Sequence, residues 1–156
     1  MTSAKRLPAN ALTIHTGYWM RIVSNTVSHA FARKLESSGV TVAEWVILRE
    51  MYSNNDRISP SAIADLTGLT RGAISKLITR LLEKNLVNRT ESTDDRRYQE
   101  VKLTTKAISL VPKLASLADQ NDQEFFSALT KAENHQLLSI LKKLSHHHQI
   151  KTIPTE

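Results

Sequence analysis

The chain of 156 residues contains no cysteine. That removes disulfides, thiolate metal sites, cysteine nucleophiles and thiol-based peroxide sensing in one step. Glycine and proline are scarce, four of each, so the chain is not a low-complexity or linker-like polymer. No apolar run approaches the roughly 18 residues needed to cross a bilayer. The polar, basic stretch 1–8 is not followed by the apolar segment of a secretory signal, and cytoplasmic residence is the expectation. There is no glycine-rich phosphate loop, no nucleophile motif and no His-Glu metal motif, so no enzyme activity and no cofactor are expected. Ser75, in Ala-Ile-Ser-Lys, has no partner base suggested by position.

What is present is an apolar fraction of 40%, enough for a core in one compact domain with extensions. Lys and Arg number 21 against 15 Asp and Glu, a formal charge of +6. A basic chain of this size points to a polyanionic partner, but charge alone does not separate nucleic acid from a membrane surface.

Apolar residues at Leu12, Tyr18, Trp19, Ile22, Val23, Val27, Ala30, Phe31 and Leu35 predict one long helix ended by Gly39. Thr41 and Glu44 have capping-box spacing and open a second helix, with Trp45, Leu48, Met51 and Tyr52 as its buried stripe. Residues 53–56 read as a turn. Ser59-Pro60 opens a short helix stopping near Leu66, because a hydroxyl N-cap followed by proline suits a first turn that lacks amide partners. Thr67-Gly68-Leu69 is a tight turn, and Thr70 caps a helix to about Lys84. Segments 86–90 and 98–103 alternate in polarity and read as a hairpin around the polar tip Glu-Ser-Thr-Asp-Asp-Arg-Arg. Thr104 or Thr105 caps a long helix whose expected apolar face is Ile108, Val111, Ala115, Ala118, Phe125 and Leu129. Pro112 should kink that helix or mark its start. Thr130 and Glu133 form a second capping box before a last helix with Leu137, Ile140, Leu141 and Leu144. From about Gln149 a frayed tail is expected.

The segment Ile-Ala-Asp-Leu-Thr-Gly-Leu-Thr-Arg-Gly-Ala-Ile-Ser-Lys-Leu-Ile-Thr-Arg-Leu-Leu, residues 63–82, has helix-turn-helix spacing. Ala64 is small where a second helix must approach. Gly68 stands in the turn, where a positive φ is needed, and Ile74 plugs the angle between the helices. A second helix with Ile74, Leu77, Ile78, Leu81 and Leu82 inside shows Gly72, Ser75, Lys76, Thr79 and Glu83 outside, flanked by Arg71 and Arg80. Placed in a major groove, Gly72 permits close approach, and Ser75, Lys76 and Thr79 meet base edges. Arg71 and Arg80 suit phosphates. Ser61, on the short helix, is counted with the DNA-contacting set. At the hairpin tip, Arg96 and Arg97 suit a narrow, strongly negative minor groove, with Asp95 holding the Arg97 guanidinium. The competing interpretations are an ordinary amphipathic helix with a wet polar face, and a charged turn that stays solvated.

These residues resemble the MarR-type regulators, the multiple-antibiotic-resistance repressor family. The likeness spans roughly residues 12–145 and is sharpest over 41–104. It is carried by Val40-Thr41-Val42-Ala43-Glu44-Trp45, Ile63-Ala64-Asp65, Gly68 to Leu82, Lys84-Asn85-Leu86-Val87, Asp95-Arg96-Arg97 and Val101-Lys102-Leu103-Thr104. Asn85 stands where family members typically have glycine; asparagine also tolerates the left-handed conformation. The resemblance implies a mainly α fold with a small β-hairpin wing. Residues 41–104 would form a winged helix-turn-helix, 12–38 and 105–148 a dimerisation frame, and 1–11 and 149–156 flexible or arm-like ends. It implies a homodimer on a pseudo-palindromic operator in double-stranded DNA, with many members released by small phenolic or anionic ligands. An effector cleft between frame and lobe would be lined by His15, Tyr18, Trp19, Ile22 and Trp45, although core or dimer packing is the simpler explanation of these residues. The run His146-His147-His148 is not expected to bind metal, since neighbours on a helix point about 100° apart. The expected function is therefore a sequence-specific transcriptional regulator, a homodimeric repressor released by a small effector. The alternatives are a sequence-indifferent architectural protein and a winged helix that binds protein.

Overall fold

A computed structural model describes residues 9–91 and 99–156. Its order is a single 3-10 turn, Leu12–Ile14, then α1 (Thr16–Glu36), α2 (Val42–Ser53), β1 (Arg57–Ile58), α3 (Pro60–Thr67), α4 (Arg71–Glu83), β2 (Val87–Glu91), β3 (Gln99–Leu103), α5 (Thr105–Phe125) and α6 (Lys131–His147). The sheet is antiparallel in the order β1-β3-β2. The fold is mainly helical with a small three-stranded wing.

Local chemistry explains most boundaries. Hydroxyls of Thr41, Ser59, Thr70, Thr104 and Thr130 each accept the amide three residues on, so five helices begin on a side-chain cap. Thr41 with Glu44 and Thr130 with Glu133 complete reciprocal capping boxes. The α1–α2 connection turns at Gly39 (φ 66) and the α3–α4 turn at Gly68 (φ 69). Asn85 takes φ 55 just after α4, and the Leu86 N–H reaches back to the Leu81 carbonyl at 2.9 Å. This is the left-handed stop that a glycine or asparagine permits.

Three sequence expectations need correction, and one short strand went unread. The first helix is not continuous from Leu12. His15 is extended, α1 starts at Thr16, and the indole N–H of Trp19 donates to the Thr13 carbonyl at 2.9 Å, folding the 3-10 turn back onto α1. In α2 the buried residues are Glu44, Ile47, Leu48 and Met51. Tyr52 is exposed and Trp45 half-buried, because the helix is apolar on several sides and its neighbours select the face. In α5 the buried line is Ala107, Val111, Leu114 and Asn121, while Ile108 is exposed. Pro112 lies within α5, exposed and inside the helix rather than at its start. A two-residue strand, β1, pairs Arg57 with Lys102 and Ile58 with Val101 next to the turn at 53–56.

One core joins the pieces. Leu35 of α1, Ile47, Leu48 and Met51 of α2, Ile63 of α3, the inner face of α4, Val101 and Leu103 of β3, and Val111 and Leu114 of α5 pack together. The helix-turn-helix, the sheet and the long helices α1 and α5 thus share one hydrophobic centre. The outer part of α1 and all of α6 are less covered. No residue of α6 is buried, and Trp19, Met20, Ile22 and Val23 on α1 are exposed with Leu138, Ile140, Leu141 and Leu144 on α6. Among the described residues no helix is long and apolar enough to cross a membrane.

Candidate nucleic-acid interface

Helix α4 is sharply two-faced. Ile74, Leu77, Ile78 and Leu81 are buried against α2, α3 and the sheet. Arg71, Gly72, Ser75, Lys76, Thr79, Arg80 and Glu83 are exposed on the other side. The Thr70 hydroxyl accepts the Ala73 amide at 3.2 Å, fixing where the helix starts. Gly68 before it supplies the left-handed turn. A side chain added at Gly72 would meet nothing within 4 Å in the free protein. Within the fold, then, Gly72 is not required by packing.

Thr79 differs from a free reader. Its hydroxyl donates to the Ser75 carbonyl at 2.9 Å, leaving an acceptor oxygen and a methyl facing out. A methyl at that place suits a thymine methyl better than a base acceptor. Ser61 is exposed in the first turn of α3, its hydroxyl 3.2 Å from that of Ser59, which in turn accepts the Ala62 amide. Residues Asp95, Arg96 and Arg97, read from the sequence as the wing tip, lie outside the described residues.

Between α3, the flank of α4 and the sheet runs a groove of about 590 Å³, lined among others by Pro60, Ser61, Arg71, Ser75 and Arg89. Arg89 is a cation that the sequence reading passed over. It is exposed on β2 and comes to the same groove as Arg71. Only the fold of the wing against α3 joins them, though Arg89 stands in an alternating strand that already marked one face as polar.

The candidate effector residues are only partly brought together. His15, Tyr18 and Ile22 share a second groove of about 520 Å³ with Leu12, Arg21 and Asn25. Trp19 meets Tyr18 edge to face at 5.6 Å but is tied to Thr13. Trp45 lies elsewhere, edge-on to Phe31 at 6.2 Å and against the core. At the end of α6, the rings of His147 and His148 stack edge-on at 4.9 Å.

The MarR family model matches residues 38–97. A Thauera aromatica protein that bears the name "putative transcriptional regulatory protein for hcr operon" is 30% identical over 129 residues, covering 82% of this chain and 77% of that protein. A mutant E. coli MarR crystallised with operator DNA is 25% identical with a TM-score of 0.72, covering 82% of this chain and 91% of the other. The Bordetella bronchiseptica protein BpsR, solved to explain regulation of its DNA binding by 6-hydroxynicotinic acid, has a TM-score of 0.75 at 23% identity, over 88% of this chain and 98% of its own; that likeness is one of fold.

Proposed function

This chain belongs to the MarR family of transcriptional regulators, and on that premise we propose that it is a homodimeric repressor that binds an inverted repeat in duplex DNA and is released by a small effector. The observation that carries the reading is the exposed strip on α4. Arg71, Gly72, Ser75, Lys76, Thr79 and Arg80 stand together on a capped helix whose opposite side is locked into the core. In the groove, Ser75, Lys76 and Thr79 face base edges, while Arg71, Arg80 and Ser61 face phosphates. Arg97 or Arg96, as the sequence reading has it, takes the adjacent minor groove. The MarR–operator complex supports this docking by its fold and identity. The cytoplasm is the compartment that fits this reading.

Dimerisation is supported by the exposed apolar residues of α1 and α6, which a second copy would cover and which one domain of this size leaves bare. Two lobes held at a set distance read two half-sites. For the effector, the groove at His15, Tyr18 and Ile22 offers an apolar wall with Arg21 at its edge, which suits an aromatic anion. A ligand there releases DNA if it binds better to a dimer whose lobes are out of register with successive grooves.

Selection from random duplex DNA, with light scattering on the same preparation, tests the reading. An enriched inverted repeat bound by a particle of twice the chain mass is the expected result. Retention without an enriched sequence would indicate an architectural protein. No retention at low salt would leave a protein-binding winged helix.

A further inference from the structure

The segment after α6 does not run free, as a frayed tail would. Gln149 turns the chain with φ 51, and the Ile150 N–H donates to the Ser145 carbonyl at 3.0 Å. The chain then returns to the helix-turn-helix. The Ile153 N–H donates to the Leu66 carbonyl at 2.9 Å. The Thr152 methyl lies 3.4 Å from where a side chain on Gly68 would begin. Thr152 and Ile153 line a shallow cleft of about 510 Å³ together with Thr67. The acceptor is telling. Leu66 lies in the last turn of α3, where carbonyls have no partner within the helix. Its neighbours are otherwise served: Ala64 accepts the Gly68 amide and Ile63 the Thr67 hydroxyl.

We propose that residues 149–156 are a strap that positions the recognition helix relative to the dimerisation frame. One end of the strap is continuous with α6. The other holds the turn directly before Thr70, the cap of α4. The far end of α4 is held separately, where Lys84 donates to the Gly39 carbonyl between α1 and α2. The shared core holds the lobe to α1 and α5, and the strap adds a tie between the α3–α4 turn and α6; without that tie the turn can shift against α6. In a dimer joined through α6 such a shift changes the separation of the two recognition helices, so the strap tunes which half-site spacing is accepted. This rests on the DNA-binding reading above.

Two variants test it: a chain ending at Lys151, and Ile153→Pro, which removes the donor N–H and keeps an apolar side chain. No residue of the strap belongs to the buried core, so both should fold with an unchanged melting midpoint. The expected results are a single half-site spacing for the parent, a broadened set for both variants, and about tenfold weaker binding to the parent's operator. Amide exchange at residues 67–70 should quicken in both variants, a readout that needs no DNA. Unchanged spacing overturns the proposal, whether or not the exchange quickens, because the tail then only packs. If the parent chain enriches no inverted repeat, the DNA reading fails by itself. In that case an unprotected Ile153 amide in the parent disposes of the strap, and a protected one, together with quickened exchange at residues 67–70 in Ile153→Pro, upholds it.

Discussion

Lys84 closes α4 by donating to both carboxylate oxygens of Glu44, at 2.7 and 2.9 Å, and to the Gly39 carbonyl at 2.6 Å. Glu44 is fully buried, and its carboxylate also accepts the Thr41 amide at 2.9 Å. One buried carboxylate therefore starts α2 and holds the C-terminal end of α4. Removing Lys84 leaves that charge with a single amide. Lys84→Met should destabilise the protein by about 2–3 kcal/mol, below the range for a fully buried pair because the lysine side chain is 36% exposed. Pairing it with Glu44→Gln should recover part of the loss. Urea unfolding of the two single variants and the double variant measures the coupling; additive losses would show that the contact is not energetically linked.

Lys76→Ala separates reading from positioning. If Lys76 donates to a base, binding should weaken by about 1–3 kcal/mol and preference should relax at one base pair of the selected site. Arg71→Ala should instead weaken all sequences alike and lower the salt slope by about one. Competition binding against single-base variants of the operator distinguishes the two; a uniform loss for Lys76→Ala would reassign it to phosphate.

Gly72→Ala tests close approach to DNA without disturbing the fold. Open space surrounds the position in the free protein. Folding stability should stay level or rise by up to about 1 kcal/mol, as alanine is the better helix former. Operator binding should lose about 1–3 kcal/mol, the cost of forcing a methyl into a packed contact. Undiminished affinity in a titration would mean that α4 stands off the groove floor at this residue.

Asn85 carries the left-handed stop after α4. Asn85→Gly should lie within about 0.5 kcal/mol of the parent, since easier geometry is offset by a more flexible unfolded chain. Asn85→Val should cost about 1–2 kcal/mol, because a branched side chain meets its own backbone at positive φ. Thermal melts of the pair are sufficient, and equal midpoints would contradict the assignment.

The acid side of the stability profile should depend on two carboxyls held below their usual value of 4.5. Glu124 is lowered first by its hydrogen bond from Lys34 and then by Gln120. Glu133 is lowered first by the Thr130 amide and then by the Thr130 side chain. A carboxyl depressed in the folded chain contributes fully above 4.5 and loses that contribution as pH falls through its folded value. Both are exposed, so the effect is small. Glu133→Gln should flatten the fall in urea midpoint between neutral pH and about pH 3.5, and an unaltered slope would count against it.

The amino-acid sequence by itself determined the punctuation of this protein. Thr41, Ser59, Thr70, Thr104 and Thr130 start helices, and Gly39, Gly68 and Asn85 stop or turn them, because a cap or a left-handed residue acts on backbone groups only a few positions away. The two faces of α4 were legible for the same reason: a polar and an apolar stripe alternate at the helical period. What needed the tertiary structure were choices between local equivalents. In α2, Trp45, Ile47, Leu48, Met51 and Tyr52 are all apolar enough to be buried, and α4 and α5 decide that Ile47 goes in and Tyr52 stays out. β1 is too short to show a period and exists only because β3 lies beside it. Arg89 shares a groove with Arg71, Lys84 meets Glu44, and Ile153 meets Leu66 across long stretches of chain. Such contacts form only after the core has brought their elements together, so no spacing within the sequence announces them.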